Sequence, residues 1–124
     1  MKASTRISEA EWEVMNLVWN KAPISTSEIV DKLAAKNDWH PRTIRTLLDR
    51  LVKKGALTYA VDGKRYLYRA QVSLDACIRK ASQNLLERVF GGEPASMLIH
   101  LVKQTKFSAE EIEELQRILQ QKRK

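Results

Sequence analysis

At 124 residues, 44% hydrophobic and 30% charged, the chain has the composition of a folded globular protein and the length of one domain, or of a small domain with an appendage. Its longest apolar run, MLIHLV, is short and interrupted by His100, so nothing spans a membrane. A single cysteine excludes an internal disulfide framework and, with no apolar signal region at the N-terminus, points to a cytoplasmic protein.

SEAE at residues 8–11 reads as a capping box, opening a helix to about Lys21 with Trp12, Val14, Met15, Leu17, Val18 and Trp19 over a broad arc. Pro23 prevents continuation. STSE at 25–28 reads as a second capping box, with Ile29, Val30 and Leu33 inward on a helix to about Lys36. In WHPRTIRTLLDRLVKKGAL, residues 39–57, Pro41 suits the first helical position and Trp39 can form a hydrophobic staple with Ile44. Ile44, Leu47, Leu48, Leu51 and Val52 repeat at helical spacing, and Gly55 ends the helix in the left-handed conformation. His40 is a weak N-cap by residue type.

After Gly55 the period changes. Residues 57–61 and 64–68 flank Asp62-Gly63, a strong hairpin signal, which sets Tyr59 opposite Tyr66 and Leu57 opposite Tyr68. Three short helices followed by a hairpin describe a winged helix, spanning residues 1–72. From Ser73 the pattern is helical again. Leu74, Ile78, Ala81, Leu85 and Val89 form one stripe, Gly91-Gly92 breaks it, and Pro94 starts a helix through Met97, Leu98, Leu101 and Val102. SAEE at 108–111 caps a last helix with Ile112, Leu115, Ile118 and Leu119. About 50 residues in striped helices are too few for a good core alone, so residues 73–124 are expected to pack on the winged helix or on a second copy. The expected fold class is therefore mainly α (α+β), a winged helix-turn-helix domain followed by a helical dimerisation domain.

The net charge is +7, and residues 39–69, with eight Lys/Arg against two Asp, carry +6 of it. Charge gathered on one short stretch marks a phosphate footprint more than it marks solubility. In a helix-turn-helix the second helix enters the major groove, its N-terminal residues against base edges. Arg42, Thr43, Arg45, Thr46 and Arg50 lie off the core stripe; arginine can grip guanine bidentately and threonine can meet a thymine methyl. Taken alone this would be an ordinary solvated face; between a preceding helix and a basic hairpin, double-stranded DNA is the better reading. Lys53 and Lys54 either offset the helix dipole or meet phosphate. Lys64 and Arg65, beside the tight turn, reach phosphate or the minor groove. The three tyrosines read as hairpin packing.

No catalytic constellation is present. Cys77 lies on a helix stripe as a small core residue, and His40 and His100 lack neighbours of metal-ligand spacing. Gly91-Gly92 lacks the context of a phosphate loop. No metal and no cofactor is implied.

These segments resemble the penicillinase-repressor family, the BlaI/MecI-type winged-helix repressors of bacteria. The likeness runs nearly end to end: ISEAEWEVMNLVW in the first helix, the WHPRTIRTLLDRLVKKGAL stretch, DGKRYLY in the hairpin and SAEEIEELQRIL near the C-terminus. The resemblance implies a homodimer whose C-terminal helices intertwine, with Leu74, Ile78, Leu85, Met97, Leu101, Ile112, Leu115 and Leu119 available to it, binding an inverted-repeat (palindromic) promoter operator. It implies base reading by Arg42, Thr43, Arg45 and Thr46, and backbone contact around Lys64 and Arg65. Family members with a membrane β-lactam sensor protease are cut at an Asn-Phe bond; the aligned pair here is His100-Leu101, and that departure counts against such a partner. Copper-responsive relatives carry a C-terminal cysteine cluster, which QQKRK lacks.

Two other classes are compatible with a winged helix. A protein–protein module would meet an acidic protein and show no preference among DNA sequences. A regulator with a small ligand between its domains would change DNA affinity on adding a metabolite.

Overall fold

A computed structural model describes residues 6–124, so the first five positions of the expected 1–72 domain lie outside the described residues. The first helix, α1 (Glu9–Asn20), begins where the sequence signal sets it. Ser8 Oγ accepts from the Glu11 amide at 3.2 Å and Glu11 Oε1 accepts from the Ser8 amide at 2.9 Å, a complete capping box. Val14, Met15 and Val18 are buried along its inner face. The second capping box is only half formed. Ser25 Oγ caps α2 (Thr26–Asn37) by accepting from the Glu28 amide at 3.2 Å, but the Glu28 carboxylate pairs with Lys21, which competes better than a backbone amide for an exposed anion.

The third helix, α3 (Pro41–Lys54), buries Ile44, Leu47, Leu48 and Leu51, with Trp39 packed partly buried against the same core. Its N-cap corrects the expectation from residue type: His40 Nδ1 accepts from the Arg42 amide at 3.0 Å. The ring places Nδ1 about as far from Cα as an Asn or Asp oxygen lies, so the imidazole does the work of those preferred caps. Gly55, at φ 84°, ends the helix as expected.

A three-stranded antiparallel sheet follows, in the order β1 (Ile24–Ser25), β3 (Arg65–Ala70), β2 (Leu57–Asp62). The first strand is too short to leave a period in the sequence. Its pairing of Ile24 with Tyr68 ties the start of α2 to the hairpin. The hairpin register differs from the sequence reading by two residues: Leu57 pairs with Ala70, Tyr59 with Tyr68, Val61 with Tyr66 and Asp62 with Arg65. The turn is therefore Gly63-Lys64, with Gly63 at φ 66° and Lys64 at negative φ, the pattern of a type II′ turn with glycine in its first central position. A shift of two keeps every side chain on its expected face. Tyr59 and Tyr66 accordingly still meet, as diagonal neighbours stacked 4.6 Å apart.

The core joins α1, α2, α3 and the base of the hairpin through Met15, Ile29, Ile44, Leu51, Leu57 and Tyr68. Trp19 Nε1 donates to the Val72 carbonyl at 2.9 Å and holds the chain leaving the sheet against α1. Ser73 Oγ then accepts from the Ala76 amide and opens α4 (Leu74–Phe90). Cys77 is buried, as its reading as a small core residue requires, and burial pushes its thiol up.

The chain divides into two compact units, one up to Asn84 and the other Leu85–Lys124. In the second, Gly91 and Gly92 take positive φ and break the helix before α5 (Pro94–Gln104). Ser108 and Glu111 form a complete capping box for α6 (Ala109–Lys122). Of the stripe residues on these helices, Met97 and Leu115 are half-buried, whereas Leu74, Ile78, Leu85, Leu101, Ile112 and Leu119 are exposed. Among the described residues no helix is long and apolar enough to cross a membrane.

Candidate nucleic-acid interface

Burying the Ile44–Leu51 stripe turns the opposite side of α3 outward. Arg42, Thr43, Arg45, Thr46, Asp49, Arg50 and Lys53 are all exposed there. At about 100° per residue, Arg42, Thr46 and Lys53 line the crest of this face, with Thr43 and Arg50 along one edge and Arg45 along the other. Thr46 Oγ1 donates to the Arg42 carbonyl at 3.0 Å, which fixes the hydroxyl against the helix. The helix N-terminus adds a partial positive charge at the end where Arg42 and Thr43 sit.

Lys54 stands apart from the other cations. Its side chain is 23% exposed, and its ammonium donates to the Arg6 carbonyl at 2.7 Å and to Glu11 Oε1 at 2.5 Å. Beside the two roles that the sequence leaves open to it, Lys54 has a third: it joins the C-terminus of α3 to the N-terminus of α1. Glu11, read in the sequence only as a capping residue, is fully buried beneath it. Burial alone would raise the Glu11 pKa; the Lys54 hydrogen bond and charge and the Ser8 amide outweigh it, and the carboxyl is held below its ordinary value. Arg50 Nη1 lies 3.9 Å from Glu11 Oε2. Nothing local in the sequence signals this cluster, because its members are brought together from 43 positions apart.

On the wing, Lys64 is exposed at the turn itself, and Arg65 pairs with Asp62 at 3.1 Å while staying well exposed. Arg69, on the same strand face as Arg65, is another exposed cation that the hairpin motif does not single out. Tyr59 and Tyr66 are each 43% exposed, so their stack forms part of the wing surface as well as its packing. Tyr68 is buried, and burial raises its hydroxyl pKa.

His100 and Leu101 lie within α5, both exposed, with the His100 ring 6.0 Å from that of Phe90. Among the described residues no group of three or more His, Cys, Asp or Glu side chains is placed to hold a metal.

The family model described as penicillinase repressor matches residues 7–121. The chain belongs to the penicillinase-repressor family. It is 40% identical over 116 residues to the methicillin resistance regulatory protein MecI of Staphylococcus aureus (strain N315), covering 94% of each chain. It is 36% identical over 121 residues to the penicillinase repressor of Bacillus licheniformis, covering 98% of this chain and 94% of that one. Among solved structures, it is similar to the monomeric form of B. licheniformis BlaI in complex with the blaP half-operator. That likeness has a TM-score of 0.53 and 38% identity, covering 60% of this chain and 89% of the other. As a penicillinase-repressor family member with a mainly helical, winged helix-turn-helix fold, the chain is related to transcriptional regulators and not to enzymes.

Proposed function

We propose that the protein is a transcriptional repressor that binds an inverted-repeat promoter operator as a homodimer. The winged helix of residues 1–72 reads DNA, and the helices of residues 73–124 hold two copies together. The observation that carries this reading is the outward face of α3, where Arg42, Thr43, Arg45, Thr46, Arg50 and Lys53 are exposed on a helix fixed by a buried stripe. Family membership and the operator-bound relative support it.

In this reading Arg42, Thr43, Arg45 and Thr46 meet base edges in the major groove, and Arg50 and Lys53 meet phosphate. Lys64 and Arg65 hold the backbone beside the recognition helix. Lys54 supports the helix from below. The exposed apolar residues of α4–α6, among them Leu85, Leu101, Ile112 and Leu119, form the contact between copies, since exposed apolar faces of this kind mark interaction sites. Two copies related by a two-fold axis place their recognition helices about 34 Å, one DNA turn, apart.

Selection of bound duplexes from a random pool by the full chain tests this. An inverted repeat with half-sites centred one turn or a whole number of turns apart is expected. A pool that gains no sequence preference would overturn the DNA reading and favour a protein partner for the basic face.

A further inference from the structure

The buried carboxylate of Glu11 has two oxygens in unequal surroundings. Oε1 accepts from the Ser8 amide and from Lys54. Among the described residues, Oε2 is the only buried side-chain nitrogen or oxygen without a hydrogen-bond partner. An ionised oxygen in that position is costly to leave unmatched, and native structures rarely do so without a reason. The Arg50 guanidinium lies beside it, with Nη1 at 3.9 Å, inside the range of charge attraction but beyond that of a hydrogen bond. Arg50 is otherwise turned outward, its side chain 55% exposed on the edge of the α3 face.

We propose that Glu11 is a positioning residue for DNA binding: its Oε2 takes one edge of the Arg50 guanidinium while the other edge meets a backbone phosphate. The inference rests on the DNA-binding reading above. A guanidinium carries five N–H donors in a rigid planar fork, enough to serve two oxygens on opposite edges. A lysine at the same place donates from a single nitrogen, so it serves two oxygens only where they lie close together, as Lys54 does, and lacks two opposite edges. Closing the 3.9 Å gap takes about one ångström of side-chain movement to reach a normal N–H···O distance. DNA seated on α3 would exclude water from Arg50 and strengthen its attraction to Glu11. The phosphate would thereby be gripped by an arginine whose long side chain is already oriented, which lowers the ordering cost of the contact. Lys54 compensates the charge of Glu11 from the other oxygen, so the carboxylate does not repel the DNA on balance.

The experiment measures affinity for the selected operator, and its salt dependence, with the full-length protein and with Glu11→Gln, Arg50→Gln, the double variant and Arg50→Lys. Glu11→Gln is expected to bind about tenfold more weakly and to flatten the log–log salt slope by about 2, one phosphate contact in each of the two copies, as Arg50→Gln should. In the Arg50→Gln background it should cause no further loss. Arg50→Lys should bind as poorly as Arg50→Gln although it keeps the charge. Losses that multiply in the double variant, or a Glu11→Gln protein that binds like the native one, would show that Glu11 is a structural staple only. If circular dichroism shows Glu11→Gln unfolded, Arg50→Lys decides: native-like binding overturns the bridge, and a loss equal to that of Arg50→Gln supports it. A native protein with no salt-dependent DNA binding would overturn the DNA reading itself, and this inference with it.

Discussion

Lys54 and Glu11, 43 positions apart in sequence, meet in a partly buried ion pair that fastens the end of α3 to the beginning of α1. The Glu11 carboxyl is held below its ordinary value near 4.5, so its ionised form favours the folded state. That contribution is complete above pH 4.5 and is lost as pH falls through the folded-state value. Lys54→Met removes the partner and leaves a buried carboxylate without its main compensation, which should cost about 3 kcal/mol at pH 7. The gap between native and variant should narrow on acidification, because protonation relieves the variant while it weakens the native pair. Urea unfolding at pH 7 and pH 4 measures both; a gap independent of pH would mean that the pair contributes nothing through charge.

His40 caps α3 through Nδ1. His40→Ala should destabilise the protein by about 1 kcal/mol, and His40→Ser, which restores an accepting oxygen, should come within about 0.5 kcal/mol of native. Equal loss in both variants would mean that the ring matters for something other than the cap.

The local signals of the sequence carried far here because they are backbone chemistry. Ser8 with Glu11, Ser108 with Glu111, Pro41 and Gly55 each set a helix end within a residue or two. The hairpin was legible as a hairpin and in its faces, but not in register: Asp62-Gly63 has the composition of a turn centre, yet Asp62 pairs with Arg65 inside the ladder. Pairing choice depends on the whole sheet, including β1, whose two residues leave no pattern. The exposed cations of α3 were legible because the core stripe fixes what remains outside. Lys54 was not, since only the folded chain brings Glu11 beneath it.

Arg42 and Lys64 should fail differently. Arg42→Ala should lose about 1–3 kcal/mol at one base pair and relax preference there, whereas Lys64→Ala should weaken binding to all sequences alike. Affinities measured against a set of single-base operator variants separate the two. Indistinguishable profiles would contradict the division between base reading on α3 and backbone contact on the wing.

Leu101 and Leu119 are exposed on α5 and α6. The proposed dimer covers them, and Leu101→Glu with Leu119→Glu should give a monomer by sedimentation at micromolar concentration. Operator affinity should fall at least tenfold, because two tethered half-site readers gain from effective concentration. A native chain that sediments as a monomer at that concentration would contradict the dimer.

His100 and Leu101 lie inside α5, so cutting between them requires local unfolding of the helix. Coexpression with a β-lactam sensor protease of the family, with antibiotic added, should leave the mass of the protein unchanged. Fragments of residues 1–100 and 101–124 would show that such a protease acts here.

The proposed contact is that of the outward cations of α3 and the wing with DNA phosphate. Its most direct measurement is affinity for an operator duplex across monovalent salt concentrations, with a scrambled duplex alongside. A dimer that neutralises about six to ten phosphates should give a log–log slope of about −5 to −9, with the operator bound more tightly than the scrambled duplex at every salt concentration. A slope near zero, or equal affinity for the two duplexes throughout, would contradict it.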